Sequence, residues 1–249
     1  MDQRTQNVIN DIENNRLSID STFEFRCLKC GKCCNNRKDI LLTAKDLYNI
    51  AKHLGRTINQ IAKRYCDVYI GDSSRIPIVR LKPTGTENAC PLLRNKRCVV
   101  HSVKPTVCAL FPLGRVAAMS QDNDEAETSG IIRPQYFLQP VKCGSHTQIN
   151  TVRSWLEKSG VPVEDEFYLH WSSAIMYLAN FFIDLEEHNT DHSIMDYLWN
   201  ITYVLLYIHF NTDSDFMSQF RKRIPELKAV LAKLMDKTKT LAGGASDGE

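Results

Sequence analysis

An α+β chain is predicted: an irregular cysteine-rich front half with short β hairpins and two helices, then a mainly α-helical C-terminal region. Three observations lead there. All nine cysteines fall between residues 27 and 143, and eight of them lie in stretches without helical periodicity. Short β-prone runs broken by Pro, Gly and Asn occupy residues 75–145. From about Thr147 onward, apolar residues recur at helical spacing. The expected organisation is an N-terminal helical arm over 1–22, a cysteine-cluster metal-binding domain over 23–145, a helical region over 146–240 and a disordered tail over 241–249.

The arm has few apolar anchors, chiefly Val8, Ile9 and Ile12. After the cysteines of residues 27–34, "LLTAKDLYNIAKHLGRT" sets Leu47, Ile50, Ala51 and Leu54 at i, i+3, i+4 and i+7 behind a capping-box pair, Thr43 with Asp46. Gly55 ends that helix. A second box, Thr57 with Gln60, opens another through Ile58, Ile61, Ala62 and Tyr65. Asp46 is read as a cap. The β-prone runs are "RIPIVRL", "RCVVH", "GRVAAM" and "IIRPQYFL", and the acidic stretch at 121–130 reads as an exposed loop. Val152, Trp155, Leu156 and Ser159 outline a helix stopped by Gly160. A longer helix carries Phe167 to Leu185, with Glu164, Asp165 and Glu166 complementing its N-terminal dipole. A third carries Ile194 to Ile208, and Pro225 is expected to open a last one through Leu227, Val230, Leu231 and Leu234.

With 249 residues, 43% of them hydrophobic, the chain can bury an ordinary core without cross-links. Thirty-one basic against 29 acidic residues leave a net charge of +2, so nucleic acid is not an expected partner, and Arg221-Lys222-Arg223 reads as a solvated helix face. The first twenty residues are polar and show no secretory pattern. The most apolar stretches, 174–185 and 199–210, are too short to span a bilayer and read as core helices. A cytoplasmic location is expected, where thiols stay reduced, and nine cysteines cannot all pair.

Metal binding accounts for the cysteine pattern. "CLKCGKC" holds two overlapping C-x-x-C turns sharing Cys30, with Gly31 at the bend, so three sulfurs converge from seven residues. The partners in reach of sequence are Cys90, Cys98, Cys108 and Cys143, with Cys34 adjoining Cys33. Adjacent side chains ordinarily diverge, so Cys34 belongs either to a second centre or to no centre. Eight thiolates would satisfy two four-cysteine sites; one complete site beside an incomplete one is the alternative. Cys66 stands apart and reads as packing, and His101, three residues past Cys98, has ligand spacing. The spacing C-x7-C-x9-C of the later set is not a zinc knuckle, and the opening run resembles a ferredoxin's without its fourth cysteine. An iron–sulfur cluster, four-iron four-sulfur favoured, is therefore preferred over Zn.

The succession F-x-C-x-x-C-G-K-C-C from Phe25, T-x-x-D-L from Thr43, A-C-P-L-L-x(4)-C-V-V-H from Ala89 and K-P-T-V-C-A-L-F-P from Lys104 resembles the CxxCxxCC cysteine-cluster family, also called YkgJ-like. That family is described as a zinc- or iron-chelating domain and includes relatives of flagellin lysine N-methylases. The resemblance runs from residue 23 to about 145 and implies a ligand role for Cys27, Cys30, Cys33, Cys34, Cys90, Cys98 and Cys108, and for Cys143 through a late C-G element. The family's R-P-x-x-C-R reads Lys104-Pro105-x-x-Cys108-Ala109 here, and its usual Tyr is His101.

Three functions follow. The first is a protein whose thiolate-ligated iron–sulfur cluster or zinc serves redox chemistry or assists an enzyme. The second, implied by the methylase relatives, is an S-adenosylmethionine-dependent protein lysine N-methylase; no G-x-G turn supports it. The third is a structural-zinc module that meets a protein partner through its helical region.

Overall fold

The computed structural model describes residues 10, 12–35, 40–119, 132–188 and 191–243. Val8, Ile9 and the acidic stretch 121–130 lie outside them. The architecture is α+β, with small antiparallel sheets in front and a helical C-terminal region.

The capping boxes set the first helices. Thr43 and Asp46 exchange side-chain and backbone bonds at the start of α1 (Ala44–His53), and Thr57 and Gln60 do the same for α2 (Ile58–Tyr65). Helix α1 ends in a Schellman closure, Arg56 N–H donating to the Ala51 carbonyl at 3.0 Å with Gly55 at φ 59°. Strand β4 (Cys66–Ile70) follows α2 at once and pairs with β5 (Pro77–Leu81), which also pairs with β3 (Leu41–Leu42). The hairpin β6 (Leu93–Arg94) with β7 (Arg97–Cys98) turns on Asn95 and Lys96, both at positive φ, the combination that suits a tight two-residue turn.

Two features of the front half depart from the sequence reading. Strand β1 (Arg16–Leu17) lies in the expected helical arm and pairs with β9 (Ile132–Leu138), itself paired with β8 (Leu113–Met119). The chain is also still extended where the helical region was expected to begin. Residues Ser145–Thr151 form β10 against β2 (Thr22–Arg26), and helix α4 starts only at Val152 and closes on Gly160. The sequence "TFEFR" alternates cleanly, with Phe23 and Phe25 buried and their neighbours exposed.

Beyond α4 run α5 (Glu166–His188), α6 (His192–Tyr203) continued by one π-turn, and α7 (Phe216–Gly243). Pro225 does not open the last helix. It sits inside α7, whose start is set nine residues earlier, where the Asp215 carboxylate takes the Ser218 N–H at 2.7 Å.

Two cores result, and they interleave along the sequence. The larger packs α1, α2 and β5 against α5, α6 and α7, from Leu47 and Val79 to Phe182, Phe220 and Leu231. The smaller gathers Phe23, Phe25, Leu110, Leu113, Tyr136, Val152, Trp155 and Leu156. Trp155 meets both phenylalanines edge-on at 5.7 and 5.6 Å and donates its indole N–H to the Leu110 carbonyl at 2.9 Å. Between the sheet of β8 and α5 lies a buried ion pair, Arg115 to Asp165 at 2.9 Å, with side chains 5% and 8% exposed. The guanidinium also stacks over Tyr168 at 3.7 Å, and Asp165 caps α5 by accepting the Tyr168 N–H at 3.1 Å. Truncating Arg115 to Ala strands a buried carboxylate; a loss of about 3–5 kcal/mol is expected in urea unfolding. A change within experimental error would show the pair to be dispensable.

Candidate metal centre

Each arm of the thiol cluster grows out of one of the two cores. Strand β2 ends at Arg26, so Cys27 leaves directly from the rigid pair Phe23 and Phe25. Lys29 and Gly31 take positive φ, 51° and 72°, bending the chain on either side of Cys30. Residues Lys32–Cys34 form a 3-10 turn, and the Cys34 carbonyl then accepts the Cys90 N–H at 2.7 Å. That bond joins the first cysteine run to the second across 56 residues. Cys90 precedes the β6–β7 hairpin and Cys98 ends it, and both pack on the larger core beside Leu92 and Val100, which are 1% and 0% exposed. Cys143 precedes β10. Its neighbour Gly144, at φ 79°, has no room for a side chain, since a Cβ would lie 2.4 Å from the Phe25 ring.

Cys108 is placed by a device that sequence reading only half saw. It lies in α3 (Thr106–Leu110), a single short turn. The Asp46 carboxylate, 4% exposed, takes Thr43 N–H and hydroxyl on one oxygen at 2.9 and 2.8 Å. Its other oxygen takes Thr106 N–H and hydroxyl at 2.8 and 2.9 Å. Asp46 therefore caps α1, as expected, and also α3, locking the Cys108 turn to the helical scaffold.

Three sulfurs sit at the same local motif, accepting an amide from two residues ahead. Lys29 N–H donates to Cys27 Sγ at 3.4 Å. Leu92 and Val100 amides do likewise for Cys90 and Cys98. At Cys90 and Cys98 these donors stabilise the thiolate over the thiol. Against them stands burial, which is the largest influence on Cys90, Cys98 and Cys143 and raises all three. Cys34 is raised most, first by its hydrogen bond with Cys33, then by burial, then by the sulfurs of Cys33, Cys90 and Cys108. The doubled cysteine, on the 3-10 turn, is thus a pair of interacting thiols, Cys33 being the largest influence on Cys34.

These influences trace the cluster. The Cys33 sulfur acts on Cys34, Cys90, Cys98 and Cys143, and Cys27 and Cys30 act on Cys143. The eight expected cysteines are thereby linked only through shared neighbours, Cys108 through Cys34 and the exposed Cys27 and Cys30 through Cys143. Among the described residues, no three Cys, His, Asp or Glu side chains are already closed to ion-holding spacing. As donors the residues fit a soft, thiophilic metal: the set is all sulfur, mutually repelling once deprotonated, and a bound cation relieves that repulsion. His101 lies on an exposed turn; burial, Lys104 and Lys29 hold its imidazole below the usual range. Cys66 stands outside the network, beside Asp67, and burial pushes it up to about 12.

A thiol-rich domain with sulfurs drawn from separate parts of the chain is the class this arrangement defines. Residues 26–130 match the family model described as "CxxCxxCC: Putative zinc- or iron-chelating domain", in agreement with the resemblance read from the motifs. Metal binding, of zinc or iron, is the function class that follows. The particular relative found is an uncharacterized protein of Methanocaldococcus jannaschii, MJ0661, 29% identical over 104 residues, which cover 41% of this chain and 53% of that protein. The chain thus spans about half the length of the curated relative it matches. No solved structure matches it.

Two measurements check the site. Asp46→Ala should lower stability by about 1–3 kcal/mol, since four donors lose a buried acceptor. It should also reduce metal content, which Asp46→Asn, keeping one oxygen for Thr106, should partly restore. Equal metal content in all three proteins would separate Asp46 from the thiol cluster. In metal-free protein at pH 8, Cys66 should alkylate far more slowly than an exposed cysteine, its thiolate fraction lying roughly a thousandfold below that of an ordinary thiol. Labelling of Cys66 as fast as of exposed Cys27 would contradict this.

Proposed function

We propose that the chain carries a thiolate-ligated metal centre held by Cys27, Cys30, Cys33, Cys34, Cys90, Cys98, Cys108 and Cys143. The occupant favoured is an iron–sulfur cluster of the four-iron four-sulfur kind, in a redox or enzyme-accessory role. The observation that carries this reading is the electrostatic network centred on Cys33, which links sulfurs from three separate parts of the sequence. A bound iron–sulfur cluster would supply one-electron redox chemistry, whereas zinc would supply a structural cross-link.

The chain's own part is to deliver sulfurs and hold their charge. Loss of the thiol protons lets the amides of Lys29, Leu92 and Val100 donate to anionic sulfur, where such bonds are strongest. The Cys34–Cys90 backbone bond and the Asp46 bridge hold the contributing segments in register. The methylase alternative gains no support from topology: among the described residues every paired strand is antiparallel, without the parallel β–α–β unit that commonly binds nucleotide-like cofactors.

Anaerobic purification with metal and acid-labile sulfide analysis tests the reading. Iron with matching sulfide and a broad absorbance near about 400 nm are expected. A colourless protein with stoichiometric zinc would overturn the iron–sulfur assignment in favour of structural zinc. Serine at Cys33, the hub, should cost more bound metal than serine at Cys143, and Cys66→Ser should leave metal content unchanged. Loss of metal from the Cys66 variant would overturn the ligand set.

A further inference from the structure

The segments that bear the eight thiols, residues 26–35, 90–108 and 139–149, contain eight lysines and arginines and no aspartate or glutamate. The whole chain has 31 basic and 29 acidic residues, so this asymmetry is local. The fold gathers it onto one face. The bend at Gly31 lies against the Lys96 carbonyl, 3.6 Å from where a Cβ would stand, which seats the β6–β7 hairpin beside the first cysteine run. Lys29 and Lys104, from different segments, both act on His101. Arg26 is paired in register with Ser145, close to Lys142.

Charge balance at the sulfurs is an insufficient account of these cations. Arg26, Lys29, Lys32, Arg94, Lys96, Arg97 and Lys142 are all exposed, so water screens them from the cluster; only Lys104 is half-buried. Among the described residues none of the eight is paired with a carboxylate, whereas Arg75, Arg80, Arg115, Arg153, Arg221 and Arg223 elsewhere are. Three exposed aliphatic side chains lie in these segments, Leu28 at 56%, Val99 at 40% and Ile149 at 70% exposure. No Phe, Tyr or Trp occurs in the three segments, so the aromatic platforms on which single-stranded nucleic acids stack are missing from them. An unpaired cationic field around aliphatic contacts matches an acidic protein surface.

We propose that this face is the docking surface for a protein partner that presents clustered carboxylates around one or two apolar side chains. Docking there would set the partner over the exposed Cys27 and Cys30 side of the thiol cluster. The surface is defined by cations and apolar side chains, and it stands whichever metal the sulfurs hold.

The test uses the full chain as purified with its metal. The probe is a synthetic peptide of about 20 residues, Glu and Asp with a Leu at every fourth position. Fluorescence anisotropy should show saturable binding that weakens at least about tenfold between about 0.1 M and about 1 M salt. Two independent variants, Arg94→Glu/Arg97→Glu and Lys29→Glu/Lys142→Glu, should each weaken it at least about tenfold. Lys63→Glu/Lys222→Glu, which alters exposed cations on α2 and α7, should leave it unchanged. Metal analysis of each variant separates a lost surface from a lost centre. The proposal is overturned by absence of peptide binding, or by equal binding to both variants that retain metal. Tighter binding of a single-stranded RNA of equal charge, or of vesicles rich in anionic lipid, would also overturn it.

Discussion

One carboxylate joins the scaffold to the site. Asp46 is buried at the first turn of α1, and its two oxygens are divided between two helix starts, Thr43 on one side and Thr106 on the other. A five-residue helix such as α3 has little stability of its own. It persists because its first amide and hydroxyl are held by a side chain fixed in the larger core, while Ala109 and Leu110 sink into the smaller one. The direction of Cys108 is set between those two anchors.

The same principle extends to the other sulfurs. None sits in the interior of a long helix, yet four of them lie one or two residues from a fixed point: Phe25 for Cys27, Leu92 for Cys90, Val100 for Cys98, Gly144 for Cys143. The irregular stretches are therefore short spans between fixed points. Such a loop can adjust its sulfurs while its ends stay in place. The cationic rim lies outside that adjustment, on the hairpin turn and on exposed positions of the first run.

Much of this was legible in the sequence. Both capping boxes, the helical spacing from Phe167 to Leu185 and the separation of Cys66 from its fellows were written in local patterns that the structure keeps. What could not be read locally was pairing at a distance. The alternation of "TFEFR" was visible, but its partner strand lies some 120 residues later and carries a polar sequence without alternation, Ser145–Thr151. Pro225 misled because proline is commonest at a helix start, yet the capping carboxylate of Asp215 fixed that start earlier. The second role of Asp46 has no sequence signal at all, because Thr106 lies 60 residues from it. The charge of the thiol face was hidden by averaging, since acids elsewhere cancel it in the total.

The interleaving of the two cores bears on how this protein can be taken apart. The stretch that matches the chelating family ends at residue 130. Strand β9, which gives Tyr136 to the smaller core, and the helix that carries Trp155 both come after that point. The larger core likewise draws Phe167, Phe182, Phe220 and Leu231 from the far end of the chain. A fragment cut to the family's limits would keep most of the sulfurs and lose the walls on which they stand. In this molecule the unit of recognition and the unit of folding are different stretches, and the cysteine cluster is not a detachable module.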